Sequence, residues 1–115
     1  MMKRGDKLYI VTRRDLAPGY QAVQSIHAAQ QFAREFPTLN SAWQERSNFL
    51  GFLSVKDEHE LRKLAVKAER KGLAVSVWHE PDLDWKLTAI AIEAGNKSRK
   101  FCKKFPLALS EFTPL

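Results

Sequence analysis

The run Lys7-Leu8-Tyr9-Ile10-Val11-Thr12, the break at Ala17-Pro18-Gly19 and the stretch from Tyr20 to about Phe36 decide the fold. The first run is apolar and rich in β-branched and aromatic residues, as a buried strand is. After the break, Ala22, Ile26, Ala29, Ala33 and Phe36 recur at steps of three and four, the spacing of a helix with one buried face. Pro37 and the polar Thr38–Asn48 stretch read as a connection, with a short helical turn around Trp43. Phe49-Leu50-Gly51-Phe52-Leu53-Ser54-Val55 reads as a second strand. Asp57 caps a second helix and forms a capping-box-like pair with Glu60. Leu61, Leu64, Ala65 and Ala68 make its apolar stripe, and Arg70-Lys71-Gly72 ends it. A third strand over Leu73–His79, a loop over Glu80–Trp85, a fourth strand over Leu87–Ile92 and a short helix over Lys97–Lys104 complete the order. The sequence β-α-β-α-β-β predicts a single-domain α/β sandwich over residues 1–115, with a mixed, mostly parallel four-stranded sheet and helices on its faces. Right-handed crossovers make the first three strands parallel, and the short last loop returns the fourth antiparallel to the third.

Composition bounds what such a domain does. With 115 residues, 44% of them hydrophobic, the chain is one domain's worth and too apolar for disorder. No apolar run reaches the roughly 18 residues of a membrane span. Met1-Met2-Lys3-Arg4 leads into only Leu8-Tyr9-Ile10-Val11, too short for a signal peptide, and the single Cys102 has no partner for an internal disulfide. A reducing, cytoplasmic setting is the expectation. Nineteen basic against thirteen acidic residues give a net charge of +6, which favours a polyanionic partner but is also a common solubility charge.

In this topology the loops that leave strands and enter helices share one edge of the sheet. The first strand delivers Arg13, Arg14 and Asp15 there, and the first helix begins there with free backbone N–H groups near Tyr20. Gln24, His27 and Gln31 lie three and four apart on one helix face, which Ala28 keeps shallow. The third strand ends at the same edge with His79, Glu80, Asp82 and Asp84, and a reversed fourth strand starts with Thr88 close by. Each has an ordinary reading: acids favour turns around Pro81, Gln24 and His27 suit a half-buried polar pair, and Thr88 is unexceptional in a strand. Their convergence points to a site.

Other chemistries lack support. No Gly-x-Ser-x-Gly elbow, Gly-rich phosphate loop or metal-ligand spacing among His27, His59, His79 and Cys102 occurs, so neither a metal nor an organic cofactor is expected. Lysines beside Cys102 favour its thiolate, but no base accompanies it, and a structural role is expected. Lys97, Arg99, Lys100, Lys103 and Lys104 place five cations within eight residues without an acid, interleaved with Phe101 and Phe105. They add to Lys63, Lys67, Arg70 and Lys71 on the second helix and to Arg13 and Arg14. Such a surface gives salt-sensitive, sequence-independent affinity for nucleic acid. Trp43, Trp78 and Trp85 are expected in core or loop packing rather than as base-stacking platforms.

Leu8–Leu16, with its strand ending in Arg13-Arg14-Asp15-Leu16, and Gln24-Ser25-Ile26-His27-Ala28-Ala29 resemble the opening of the archaeal/eukaryotic-type (second type) peptidyl-tRNA hydrolase family. The resemblance continues through Lys56-Asp57-Glu58, Gly72-Leu73 and the Thr-bearing Leu87-Thr88-Ala89-Ile90-Ala91-Ile92, nearly the whole chain. It implies hydrolysis of the ester joining a peptide to the 3′ ribose of tRNA. It carries over Asp15, Gln24, His27 and Thr88 as site residues. Tyr20 stands where the family has a lysine, and Glu80-Pro81-Asp82-Leu83-Asp84-Trp85 replaces an Asp-Ala-Gly-x-Thr loop, with Glu80 as a longer carboxylate. The expected mechanism uses water as nucleophile and Glu80 or Asp82 as general base. Gln24 and Thr88 orient the water or carbonyl, and N–H groups of the first helix face the oxyanion. Arg13, Arg14, Lys97, Arg99, Lys100, Lys103 and Lys104 hold tRNA phosphates. The resemblance also implies a homodimer. Two alternatives stand beside it: an RNA-binding module without turnover, and a small-molecule ester or amide hydrolase.

Overall fold

A computed structural model describes residues 2–110. In chain order it has β1 (Lys7–Arg13), α1 (Pro18–Glu35), α2 (Pro37–Arg46), β2 (Phe49–Val55), α3 (Glu58–Arg70), β3 (Val75–Glu80), a 3-10 turn at Pro81–Leu83, β4 (Lys86–Ile92) and α4 (Asn96–Cys102). The four strands form one sheet ordered β2-β1-β4-β3. β1 and β2 pair in parallel, and β4 runs antiparallel to both its neighbours, β1 and β3. The first three strands point the same way and the fourth returns beside the third, as expected. Because β4 inserts between β1 and β3, however, only one of the three pairings is parallel. Burial explains the insertion: every β4 residue from Leu87 to Ile92 is buried, so both its faces and both its edges must be covered.

The helices divide between the two faces. Tyr9 and Val11 of β1, Leu53, Val55, Val75, Val77, Ile90 and Ile92 pack against α3 and α4. Leu8, Ile10, Ala89, Ala91 and Trp78 pack against α1 and α2, with Ala28 and Phe32 from α1 and Trp43 from α2. The period-two alternation of β1 puts its two sets of side chains into two cores. The outer edge of β2 is strapped by the segment after α4, where Ser54 N–H donates to Pro106 O at 3.0 Å and Ala108 N–H to Phe52 O at 2.8 Å.

Several boundaries correct the sequence reading. The connection expected over Thr38–Asn48 is instead a ten-residue helix, α2, begun by Pro37 at its first turn and pinned by Trp43, whose indole N–H donates to Phe49 O at 2.8 Å. Its apolar pattern is weak because Trp43 is its one buried residue, so periodicity did not reveal it. α1 begins two residues earlier than Tyr20, at Pro18. Glu80 ends β3 rather than opening a loop, because its backbone pairs with Lys86. Lys103 and Lys104 lie beyond the end of α4. At α3 the expected cap is half formed: Asp57 Oδ1 accepts from Glu60 N–H at 3.0 Å, while the Glu60 carboxylate leans to Lys63 instead of returning to the cap.

One irregularity positions the site. Trp78 pairs with Ala89 but His79 pairs with Leu87, so Thr88 is an extra residue in β4, a β-bulge. Strict alternation would send Thr88 to the α3 face with Ile90. The bulge lets Leu87 join the α3-side core and turns Thr88 toward α1.

Candidate active site

Strand parity on β3 puts Ser76, Trp78 and Glu80 on the α1 face. Gln24, on the buried side of α1, meets both the end of β3 and the bulge of β4. Its Nε2 donates to Glu80 Oε1 at 3.0 Å, and its Oε1 accepts from Thr88 Oγ1 at 2.8 Å. The amide orientation follows from the carboxylate, which only accepts, so the oxygen must face Thr88 and the hydroxyl must donate. The single hydroxyl proton has a second acceptor, Trp78 O, at 3.4 Å, and the shorter contact to Gln24 wins. Thr12 Oγ1 donates to Thr88 O at 3.0 Å and closes the inner end of the chain.

The chain runs outward. Thr12 and Thr88 have no exposed surface and Gln24 has 1%, whereas Glu80 retains 8%. Glu80 Oε2 accepts from Asp82 N–H at 3.1 Å, across the turn led by Pro81. That amide first, and the Gln24 amide second, hold the Glu80 carboxyl below the usual glutamate range, so the outer end of the chain is a carboxylate. Asp82 thus contributes a backbone N–H, and its own side chain is exposed. The His27 ring stacks on Trp78 with centroids 4.4 Å apart and planes 13° from parallel, beside Glu80. The Trp78 indole N–H leans toward Glu80 but is buried without a partner of hydrogen-bonding geometry.

The remaining expected residues fall outside this chain. Asp15 pairs with Arg13 at 2.9 Å in a two-pronged contact, which lowers the Asp15 pKa and raises that of Arg13. Arg13 also donates to Leu87 O at 3.0 Å, and Leu87 N–H donates to Glu58 at 2.8 Å, so this ion pair fastens the start of β4 on the α3 side. Tyr20 is 44% exposed in the first turn of α1. Among the described residues no side chain caps that helix, and its first turn carries no acid, in contrast to α3. A Cβ added at Gly19 would meet nothing within 4 Å, so the start of α1 is open there. Gln21 anchors this terminus to the preceding loop by donating to Leu16 O at 2.7 Å. Arg14 lines a separate groove with Gln21, Pro106 and Leu107.

The cations of the C-terminal stretch lie elsewhere, on the α3 face. Lys100, Lys103 and Lys104 gather with Lys67, Arg70 and Lys71, while Arg99 donates to Asn96 at 2.6 Å and the Lys97 ammonium lies over Gly72. Cys102 is buried and its thiol is pushed up to about 12, so burial overrides the neighbouring lysines that the sequence reading credited with favouring a thiolate. Trp85 is 67% exposed rather than packed in its loop.

Sequence reasoning missed Thr12 and Trp78 as members of the site. Trp78 was legible in one respect, since it lies two residues before Glu80 on the same strand face. Thr12 carried no signal, and its role depends on a strand 76 positions away.

Among the described residues no helix is long and apolar enough to cross a membrane. A comparison with curated proteins finds no match. The family model described as peptidyl-tRNA hydrolase PTH2 matches residues 6–107, which covers every strand and helix above. The chain belongs to the peptidyl-tRNA hydrolase PTH2 family, and that membership supports hydrolysis of peptidyl-tRNA, a carboxylic ester, as its activity.

Proposed function

We propose that the edge built by α1, the end of β3 and the bulge of β4 is where the peptidyl-tRNA ester is cleaved, with Glu80 as the acceptor for the attacking water. One observation carries this reading: a buried hydrogen-bonded chain, Thr88 to Gln24 to Glu80, joins three elements and ends outermost on a carboxylate held ionised. A carboxylate in that form accepts a proton without first losing one, and the lowered pKa makes it a weaker base than an ordinary glutamate. Water attacks the ester carbonyl carbon as Glu80 takes its proton. The tetrahedral intermediate then expels the ribose oxygen, which leaves as a hydroxyl with that proton, and the peptide leaves as a carboxylic acid.

The remaining roles follow from position. Thr88 and Gln24 are positioning residues, because both are buried and act through Glu80. The uncapped first turn of α1 supplies N–H groups for the oxyanion. His27, locked against Trp78, lies beside Glu80 and borders the substrate. Tyr20, Asp82 and Asp15 line the approach, with Asp15 holding Arg13. Phosphates next to the ester meet Arg14. We place the chain in the cytoplasm with its substrate. It pairs as a homodimer through β3, which has no outer strand neighbour among the described residues. Sedimentation at micromolar concentration is expected to show the dimer.

The test is single-turnover hydrolysis of a purified peptidyl-tRNA by the wild type, Glu80→Gln and Gln24→Ala. Glu80→Gln is expected to lose at least about a hundred-fold in rate, the usual contribution of a positioned base. Wild-type rates in both variants would remove the site from this edge.

A further inference from the structure

Apart from the α1 edge, the strongest chemical feature of the molecule is a groove of about 940 Å³ between α3 and α4. Lys67, Arg70 and Lys71 line it from α3, Lys100, Lys103 and Lys104 from α4 and the residues after it, and Phe101 forms its apolar floor. Among the described residues, no carboxylate lines it. Of the other cations of these two helices, Arg62 pairs with Glu58 at 3.1 Å, Lys63 with Glu60 at 3.9 Å and Arg99 with Asn96, while the Lys97 ammonium lies over Gly72. Among the described residues, none of the six groove cations forms a salt bridge. Folding has therefore brought together two cationic segments about thirty positions apart with no counter-charge among the described residues, an arrangement that a polyanion relieves.

The location determines what kind of polyanion fits. The groove lies on the face opposite α1 and flanks the end of α3, which leads into the start of β3, whereas Glu80 ends that strand. A strand of this length spans roughly 20 Å, and the helix layers stand about 10 Å from the sheet. A small ester at Glu80 cannot touch the groove. A molecule that occupies both must carry a row of phosphates some 20 Å or more from its ester.

We propose that the α3/α4 groove seats the helical phosphate backbone of the tRNA body while the 3′ end reaches round the sheet to the α1 edge. This rests on the hydrolysis reading for its substrate, but its test does not. The cations contact phosphates and not base edges, so the groove accepts tRNA of any sequence. The six cations are exposed around Phe101, which suits a backbone that slides into register.

The experiment measures binding of uncharged tRNA as a function of salt. Arg70→Glu/Lys100→Glu changes the groove, and Arg34→Glu/Arg46→Glu makes the same change in net charge at exposed ends of α1 and α2. Lys103→Gln/Lys104→Gln is a milder second groove variant, and circular dichroism verifies that all three fold. The groove pair is expected to weaken binding by about ten-fold or more at about 0.1 M salt and to lower the log–log salt slope by about one per cation removed. The control pair is expected to change affinity less than about three-fold.

Equal loss in both pairs would assign the effect to net charge and overturn the proposal. So would unchanged binding in the groove variants, or tighter binding of the wild type to phosphatidylserine vesicles than to tRNA. Peptidyl-tRNA hydrolysis is read in parallel. If Glu80→Gln hydrolyses at the wild-type rate while the groove variants still lose tRNA, the groove stands and the cleavage site falls. If Glu80→Gln loses hydrolysis while the groove variants bind normally, the cleavage site stands and the groove falls.

Discussion

Replacing Thr88 by valine tests whether the buried chain is a single physical unit. The side chains are nearly the same shape, so packing at this fully buried position changes little, and the loss is one hydroxyl. That hydroxyl donates to Gln24 Oε1 at 2.8 Å, and the other end of the amide is committed to Glu80 at 3.0 Å. The amide cannot turn over, because its oxygen would then face a carboxylate. Thr88→Val therefore strands a buried carbonyl oxygen, which costs about 1–3 kcal/mol.

At about 2.1 cal/mol/K per residue, 115 residues give an unfolding entropy near 0.24 kcal/mol/K, so Tm falls by roughly 4–12 °C. Gln24→Leu leaves a less costly defect on the Thr88 side, because the hydroxyl can turn to Trp78 O, now 3.4 Å away. The double variant Thr88→Val/Gln24→Leu strands neither group, so its loss is expected to be smaller than the sum of the singles by at least about 1 kcal/mol. Urea unfolding of the four proteins at one pH measures the cycle. In peptidyl-tRNA hydrolysis Thr88→Val lowers kcat more than it raises KM, as expected of a residue that acts through Gln24. Additive losses, or a Thr88→Val protein within about 0.3 kcal/mol of wild type, would refute the argument.

Three further outcomes are expected. The Glu80 carboxyl is depressed by the Asp82 and Gln24 amides, so its stabilising contribution is present above the ordinary glutamate pKa and is lost as pH falls through its lower folded value. The stability gap between wild type and Glu80→Gln should shrink on acidification below about pH 4.5, as read by thermal melts, and a constant gap would contradict the assignment. Gly51→Ala places a Cβ 2.7 Å from the ring of buried Tyr9, an overlap expected to cost about 1–3 kcal/mol in urea unfolding. Cys102, buried with a thiol near pKa 12, should react with iodoacetamide at pH 8 far more slowly in the native protein than in denaturant, as followed by mass spectrometry.

Particular elements show what was legible in advance. α3 was readable because Asp57, the apolar stripe and the basic last turn all point to one helix. α2 was not, since a helix that buries one tryptophan leaves almost no periodic pattern. Gln24, Glu80 and Thr88 could be nominated from topology alone, because α1 starts and β3 ends at the same edge. The Asp15–Arg13 ion pair was not legible, since nothing local tells a carboxylate left free from one that holds Arg13 across a turn. The cationic stretch after β4 was visible as charge, but its partition into groove cations and partnered ones depends on where α3 lies.

By itself the sequence determined the order of the strands and of every helix but α2, the direction of the strands and the family, because these depend on local propensity, short connections and residue patterns along the chain. Tertiary structure alone decided three things: that β4 slots between β1 and β3, that a bulge turns Thr88 onto Gln24, and that the α3/α4 cations face away from the α1 edge. Each is a choice among pairings of segments distant in sequence. Burial of β4 on both faces and the satisfaction of buried polar groups made those choices, and neither can be evaluated until the partners are in place.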